Sequence, residues 1–327
     1  LFVGALAGRH LRRLGLDGVG PLCTFEPNPS TLLSARGASF DPDGRLVIAA
    51  NVGTSSWLGV LRALYPGCTL DDTLDGDGWV IHDVSVPGHG RPLVGGVAAA
   101  RWLSGPMTIN RRILVVYSAL ETGSFDQIDL YLVRLRESGG IDTEFGGGDG
   151  ILELGAGRRA RELVQVSLSR YLLVGELGTE STPDLNAFVR RIDRDGVPDP
   201  TFAVDGEQAI DLSPAGASQE VFHAVRQAAD GRIVLAGTTD LGAQPGEWDF
   251  QGAAVVLLPD GSVDPAFSGD GWLTHRPANA TSTVFRDAAL QPNGRLLVAA
   301  STFAGPSLAD PDGAGVVLRF HPTGALD

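Results

Sequence analysis

Residues 294–300, GRLLVAA, are the stretch that decides the fold, together with VVLRF at 316–320 and TGALD at 323–327. An Asn-Gly pair at 293–294 opens the stretch. Asn-Gly or Asp-Gly between two apolar runs is the strongest short-range signal for a β-hairpin. The same order of segments recurs along the chain, which indicates a repeat protein.

Six apolar strands equivalent to the one at 296 define the repeats. They begin at Leu1, Leu46, Ile113, Tyr171, Ile233 and Leu296. We name this strand B of each repeat; strand A precedes its turn, strand C follows it, and strand D comes after a second tight turn. Phe145, Phe202 and Phe267 recur at one position of the C–D segment, with Leu74 in the second repeat. One large apolar residue per repeat predicts a core plug between neighbouring sheets.

Four strands per repeat without helical periodicity predict an all-β fold, a β-propeller of six four-stranded blades in one domain over 1–327. An open β-solenoid is the alternative, but its coils are shorter. The chain opens on a B strand and ends where a D strand is due. We therefore expect flanking residues, which would allow seven blades, or strand addition by another chain. The repeats span about 1–35, 36–96, 97–158, 159–219, 220–283 and 284–327.

Two copies of the repeat resemble a known family. QPNGRLLVAAS at 291–301, and ADGRIVLAG at 229–237 with LPDGSVDPAFSGDGW at 258–272, are similar to the delta-60 repeat family of bacterial β-propellers. The resemblance covers almost the whole chain, with departures at 104–112 and 17–25. It implies a propeller fold and an extracellular or periplasmic setting, and it supplies no catalytic residues.

The charge balance excludes some partners. The formal net charge is −14, and all 25 basic residues are Arg. Nucleic acids and anionic membrane surfaces bind positively charged protein surfaces, so neither is an expected partner. The sequence has no apolar run long enough to span a bilayer. The absence of Lys indicates a bacterium with a GC-rich genome.

The B–C loops of repeats three to six are acidic and form a predicted acidic loop face. Asp310 and Asp312 are candidate Ca²⁺ ligands, the one cofactor that the sequence suggests. Solvated acidic loops that aid solubility are the alternative. The acidic residues are Glu121, Asp126, Glu176, Glu180, Asp184, Asp240, Glu247, Asp249, Asp310 and Asp312.

Basic side chains recur at the start of the A strands, which are the innermost strands of a propeller. This predicted ring could bind a carboxylate or phosphate at the channel mouth. Alternatively, each Arg pairs with a neighbouring acid such as Glu162, Glu220 or Asp287. The ring residues are Arg36, Arg101, Arg161, His223 and Arg286.

The cysteines and the remaining histidines give weaker signals. Cys23 and Cys68 could form a disulfide between the first two blades, or be two unrelated small buried residues. His82, His89 and His275 fall in D–A connections, where we interpret them as lone loop histidines.

The sequence contains no nucleophile elbow, phosphate-binding loop or zinc-protease motif. We therefore expect a non-catalytic binding or assembly module that presents the acidic loop face to a protein or glycan. One alternative is a hydrolase or lyase that uses His223 as base and the Arg ring for an anionic substrate. A second is a structural subunit of a surface filament, assembled through its end strands.

Overall fold

A computed structural model gives the structure of the chain. It describes residues 2–3, 10–13, 22–24, 33–41, 43–52, 57–65, 67, 69–104, 108–123, 127–178, 185–212, 219–240, 250–304 and 314–327. For residues up to 36, and for 91–92, 99–104 and 108–109, it describes the backbone alone. No helix in these ranges is long and apolar enough to cross a bilayer.

The described residues form β-strands joined by turns, as the hairpin signals predict. In the first three repeats the strands are β1 (Phe2–Val3), β2 (His10–Arg13), β3 (Leu22–Thr24), β4 (Leu33–Phe40), β5 (Leu46–Val52), β6 (Trp57–Leu64), β7 (Thr69–Leu70), β8 (Trp79–Asp83), β9 (His89–Ser104), β10 (Thr108–Glu121), β11 (Ile128–Arg136) and β12 (Ile151–Ala156). In the last three they are β13 (Arg158–Ser167), β14 (Arg170–Leu177), β15 (Asn186–Asp193), β16 (Glu207–Ile210), β17 (Gln219–Gln227), β18 (Ile233–Asp240), β19 (Phe250–Leu257), β20 (Trp272–His275), β21 (Ser282–Leu290), β22 (Leu296–Phe303) and β23 (Ala314–Phe320).

Consecutive strands pair to give one sheet per repeat within the described ranges. The sheet orders are β1-β2-β3, β4-β5-β6-β7 with β8 also on β6, β12-β11-β10-β9, β13-β14-β15-β16, β17-β18-β19-β20 and β21-β22-β23. The predicted B and C strands fall on these strands, although β10 begins at Thr108 rather than at Ile113. The all-β prediction is confirmed, while the number of blades stays a prediction.

The chain divides into two compact bodies. The amino-terminal body contains residues 4–172 and 192–197, and the carboxy-terminal body contains 1–3, 173–191 and 198–327. In the first, Val47, Val60, Val115 and Val133 belong to one buried cluster. In the second, Val234, Ala236, Val256, Phe267 and Phe285 belong to another. Alternate residues of each strand thus supply the core, as a period of two requires.

The recurring aromatic residues of the C–D segments are buried, as predicted. Leu74, Phe145, Phe202 and Phe267 are each at most 3% exposed. A Cβ added at Gly261 would lie 2.8 Å from the Phe202 ring, so Phe202 packs on the turn of the following repeat. Gly261 of this C–D turn therefore makes room for the plug of the preceding repeat.

An Arg–Asp pair holds the C–D turns of the second, third, fourth and sixth repeats, and we call it the turn clamp. In the third repeat, Arg134 Nε and Arg112 Nε donate to Asp142 Oδ2 at 2.9 and 2.7 Å. Arg134 Nη1 also donates to Asp195 Oδ1 of the next turn, at 2.9 Å. Equivalent pairs are Arg62–Asp71, Arg191–Asp199 and Arg319–Asp327. The charged residues of the repeat pattern thus hold the scaffold together at the C–D end of the sheets.

The residue after each plug has positive φ. Asp75, Ala203 and Ser268 have φ of 55°, 49° and 57°, and Gly146 has 66°. The Ala203 amide donates to Asp260 O at 2.6 Å and the Ser268 amide to Pro322 O at 2.9 Å, so each ties its turn to the next repeat. The left-handed conformation aims the amide at that carbonyl, although it is unfavourable for residues with a Cβ.

Candidate functional site

The A strands carry a β-bulge at the position of the predicted basic ring. In β17, Phe222 pairs with Gly237 and Ala224 with Ala236, so His223 has no partner in the β17–β18 ladder. In β21, Phe285 pairs with Ala300 and Asp287 with Ala299, so the β21–β22 ladder skips Arg286 in the same way. In β4, the ladder likewise skips Arg36, whose side chain lies outside the described residues. A bulge re-aims a side chain and is frequent beside active sites.

The third repeat corrects one member of the predicted ring. In β9, Val116 pairs with Gly96 and Tyr117 with Val94, so the bulge residue is Gly95. Arg101 lies six residues further along β9, opposite Arg111. The ring positions were predicted by their distance in sequence from the A–B turn. In the third repeat that distance is not preserved, because residues 104–112 depart from the repeat pattern. Gly95 is required, since an added Cβ would lie 2.5 Å from Ala160 O.

Hydrogen bonds between sheets identify the equivalent residue in β13. Asn51 Oδ1 accepts from the Val94 amide at 3.0 Å, and Ser118 Oγ accepts from the Ala160 amide at 2.9 Å. Both acceptors occupy the sixth position of a B strand. Val94 precedes the bulge residue Gly95, so the residue after Ala160 occupies the matching position. That residue is Arg161, a member of the predicted ring.

The structure partly separates the basic residues from the acids proposed to neutralise them. Asp287 accepts from Arg226 Nη2 at 2.9 Å, so its partner is not its neighbour Arg286. Arg286 is exposed, and its Nε donates to Ser301 Oγ at 3.3 Å. His223 is half-buried. The bulged side chains of β17 and β21 can therefore be reached from solvent.

A buried carboxylate lies at the start of β17, three residues before His223. Glu220 is 0% exposed, and its Oε1 accepts a hydrogen bond from Thr239 Oγ1 at 2.9 Å. Its amide donates to Leu185 O at 2.8 Å, which fixes the start of the strand. Burying a carboxylate is costly without hydrogen bonds, and the bond from Thr239 offsets part of that cost. From the sequence, Glu220 is expected only as a possible partner for an Arg of the ring.

Further polar groups are buried at the same end of the sheets in the carboxy-terminal body. Thr238, Asp240, Ser282 and Thr283 are each at most 8% exposed. The Oγ1 atoms of Thr238 and Thr283 have no hydrogen-bond partner among the described residues. The loop-bearing end of this body is therefore lined internally by hydroxyl and carboxyl groups, although its strands are otherwise apolar.

The acidic loop face is only partly described. Glu176 and Asp240 are buried rather than solvated, and Glu121 is half-buried. The other predicted members lie outside the described residues: Asp126, Glu180, Asp184, Glu247, Asp249, Asp310 and Asp312. The Ca²⁺ candidates are among them. In the described ranges no group of three or more His, Cys, Asp or Glu is arranged to hold a metal.

The predicted disulfide also lies outside what the structure describes. Cys68 is not described, and Cys23 is described by its backbone alone. The pairing stays a prediction.

His89 is not the lone loop histidine that the sequence suggested. Its Nε2 lies 2.8 Å from Asp129 Oδ2 and 3.3 Å from the Tyr131 hydroxyl, and its Nδ1 lies 3.2 Å from Pro87 O. Burial alone would lower the pKa of His89, but the bond to Asp129, the Pro87 carbonyl and the charge of Glu121 raise it above its usual range. We call this the His89 cluster.

The tyrosines beside His89 are structural. Burial, with the charges of Glu153 and Asp129, raises the pKa of Tyr131 to about 12. Its ring stacks on Tyr117, whose hydroxyl donates to Val84 O at 3.2 Å. Both tyrosines stay neutral at physiological pH and anchor the connection before β9. Because both ring nitrogens of His89 are engaged, His89 is poorly placed to act on a substrate.

The other two predicted loop histidines lie on D strands. His82 Nε2 is 2.7 Å from Gly139 O. His275 packs edge-on against Phe320, with ring centroids 5.4 Å apart, and burial lowers its pKa. Neither takes part in a cluster of titratable groups within the described ranges.

Comparison with known proteins identifies the fold. No protein-family model matches the chain, and no curated protein matches it. Among solved structures, it is similar to an α-L-arabinanase from Penicillium chrysogenum complexed with arabinobiose, at a TM-score of 0.54 and 11% identity over 91% of this chain and 92% of that one. An α-L-arabinofuranosidase from Lactobacillus brevis matches at a TM-score of 0.40 and 12% identity over 89% and 91% of the two chains. An endo-arabinanase from Bacillus licheniformis matches at 0.37 and 13% over 89% and 95%.

These comparisons correct the function expected from the sequence. The prediction of a non-catalytic binding or assembly module is wrong, because the solved structure that matches at a TM-score of 0.54 is that of an enzyme, an α-L-arabinanase complexed with a saccharide. The absence of a linear catalytic motif does not exclude catalysis, since active sites are built from side chains that a fold brings together. The fold itself agrees with the prediction: the chain is an all-β protein with the β-propeller fold.

Proposed function

We propose that this chain is a glycan-cleaving enzyme of the hydrolase or lyase class. Its active site lies on the A strands at the loop-bearing end of the carboxy-terminal body. The observation that carries the proposal is the bulge in β17, which takes His223 out of the β17–β18 ladder beside the buried Glu220. The similarity to an arabinanase with bound arabinobiose supports a saccharide as the ligand class.

His223 has the chemistry that the reaction needs. Imidazole titrates near neutral pH, so a reachable His can take a proton from water or from a substrate carbon and return one to the leaving oxygen. The first strand of each propeller sheet lines the central channel, so a bulge there presents its side chain to a ligand. The proposed role of His223 is therefore that of general base.

Glu220 is proposed as a positioning residue rather than a catalytic one. It is fully buried, and its bond to Thr239 ties the start of β17 to the end of β18. These strand ends flank the bulge, so loss of the bond would change where His223 points. We expect Glu220→Gln to lower kcat more than it changes KM and to leave the pH profile centred on the same pKa.

The test is depolymerisation of polysaccharides by the purified full chain. We expect cleavage of at least one member of a panel of arabinan, xylan, polygalacturonate and alginate, followed by chromatographic size and by reducing ends. A lyase product carries a new double bond that absorbs in the ultraviolet, whereas a hydrolase product incorporates oxygen from labelled water.

His223→Gln is the decisive variant. We expect it to lower kcat/KM by at least about a hundredfold, the contribution of a general base. His321→Gln is the matched control, because His321 lies on the C–D turn and pairs with Asp327 at 3.1 Å. A His223→Gln protein that keeps wild-type activity would refute the assignment, and a wild-type protein inactive on the whole panel would refute the function.

A further inference from the structure

We infer that a water molecule is bound between Thr238 Oγ1 and Thr283 Oγ1 and joins the fifth sheet to the sixth. The site lies between the β17–β20 and β21–β23 sheets of the carboxy-terminal body, at the loop-bearing end. It stands apart from the proposed active site and requires no catalytic activity.

Both hydroxyl groups point into the same interface. A Cβ added at Gly252 would lie 2.2 Å from the Phe285 ring, so Phe285 faces the fifth sheet at that residue. Thr238 pairs with Gly252, and residues paired across a ladder project from the same side of a sheet. Thr283 precedes Phe285 by two residues and therefore projects from the same side of β21 as Phe285. The two hydroxyls are thus neighbours of one aromatic ring between the sheets.

These two hydroxyls are buried without a protein partner. Thr238 is 4% exposed and Thr283 is 0% exposed, and neither Oγ1 has a hydrogen-bond partner among the described residues. Thr302, which faces Thr283 across the ladder, donates its own Oγ1 to Ala314 O at 3.3 Å. Buried polar groups are nearly always bonded to protein or to ordered water, so two such hydroxyls at one interface indicate a shared water.

An earlier interface makes the same connection without water. Ser118, the sixth residue of its B strand, accepts a hydrogen bond from the Ala160 amide at 2.9 Å. Thr238 is the sixth residue of β18, and the matching amide, of the residue before the next bulge, is that of Phe285. Thr238 Oγ1 makes no such bond to the described residues. The link that a hydroxyl makes directly between the third and fourth sheets is therefore water-mediated between the fifth and sixth.

The water completes a connection between two A strands. Thr239, the next residue of β18, donates to Glu220 of β17 at 2.9 Å. Adjacent residues of a strand project to opposite faces, so the end of β18 holds β17 through one hydroxyl and β21 through the other. The water thereby fixes the start of β21, three residues before the bulge residue Arg286.

The test is a double-mutant cycle on the full chain, read as the urea midpoint of unfolding. Thr238→Val and Thr283→Val each remove one hydroxyl and keep the branched shape of the side chain. We expect each single variant to lower the midpoint and the double variant to fall little below either, because the first substitution already releases the water. Unbonded hydroxyls would give the opposite sign, because removal of a buried polar group without a partner stabilises a protein.

Thr302→Val is the matched control. It makes the same change on the same ladder, at a hydroxyl that donates to Ala314 O, and its effect is expected to add to that of Thr238→Val. Thr238→Ser keeps the hydroxyl, so Thr283→Val should lower the midpoint of that variant as much as it lowers that of the wild type. A midpoint raised by Thr238→Val or by Thr283→Val, or full additivity between those two, would overturn the inference.

A saccharide hydroxyl is the other group able to bond both threonines, and a second arm separates it from water. Arabino-oligosaccharide is added in excess to the wild type and to the Thr238→Val variant, and the two midpoints are measured again. Bound water predicts the same shift in both proteins, whether or not the chain cleaves glycans. A shift confined to the wild type would overturn water as the ligand of this site.

Discussion

At the scale of single residues, the His89 cluster shows how distant positions combine into one titrating group. Asp129 and Tyr131 lie on strand C of the third repeat, whereas His89 opens strand A. Glu121 faces His89 in the strand register, and Glu153 pairs with Tyr131 on the far side. The alternation of side chains along each strand predicts which face each of these residues occupies. Only the pairing between strands brings the residues together.

His89 makes the amino-terminal body sensitive to pH. The net shift raises the pKa of His89 in the folded state. Its contribution to stability is therefore complete below about pH 6.5, the unfolded value, and is lost as pH rises through the folded pKa. We expect His89→Gln to remove this loss from the pH dependence of the melting temperature.

Asp129→Asn tests the cause. It keeps the imidazole and removes the carboxylate that raises its pKa, so we expect the stability loss above about pH 6.5 to become smaller. The explanation fails if wild type and both variants show the same melting profile between about pH 6 and pH 8.

At the scale of the element, the C–D turn was the easiest to predict and the A strand the hardest. The plug positions Phe145, Phe202 and Phe267 are visible as one aromatic per repeat, and all three are buried. A bulge leaves no such trace, because it depends on which amides pair across the ladder and not on which side chains alternate. Gly95 therefore occupies the position that sequence counting gave to Arg101.

The positive φ after the plug yields a prediction for the turn. Ala203 has φ of 49°. We expect Ala203→Gly to raise the free energy of unfolding by about 0.5–1 kcal/mol, because glycine adopts this conformation without a Cβ clash. Chemical denaturation measures the change.

Ala209→Gly provides the contrast. Ala209 is exposed on β16, where the same substitution adds only chain entropy to the unfolded state. We expect it to be destabilising by a similar amount. Equal effects of the two substitutions would show that the turn conformation carries no strain.

At the scale of the whole molecule, the turn clamps set the response to acid. Burial would raise the pKa of Asp142, but the bonds from Arg112 and Arg134 lower it. Burial would likewise raise the pKa of Asp71, but hydrogen bonds from Thr73 and the charge of Arg62 lower it. Carboxylates with depressed pKa stabilise the fold above the unfolded value, about pH 4, and this stability is lost as pH falls through the folded pKa.

We therefore expect steep acid unfolding that a single clamp variant weakens. Asp142 is 0% exposed, and Asp142→Asn leaves two guanidinium groups without their carboxylate, at a cost of about 3–5 kcal/mol. Glu144→Gln, an exposed neighbour, is the control and is expected to change stability by less than about 0.5 kcal/mol. Similar urea midpoints for both variants would contradict a stabilising role of the clamp.

The repeat pattern predicted the scaffold far better than the candidate site, for a physical reason. Glycine turns and apolar alternation act within or between adjacent strands, so their spacing can be recognised in the sequence. The site depends on bulges and on the burial of Glu220, which arise from packing between sheets. Fold and chemistry were therefore predictable to different degrees from the same residues.

The turn clamps also bear on how such a chain diversifies. Arg134 and Arg191 join each turn to the next through Asp195 and the Pro259 carbonyl, all at the C–D end. Substitutions and insertions at the loop-bearing end of the sheets leave those links intact. New specificities can therefore accumulate at that end without destabilising the C–D turns. Homologous chains are then expected to share the repeat pattern at the C–D end and to differ in the ligands that they bind at the loop-bearing end.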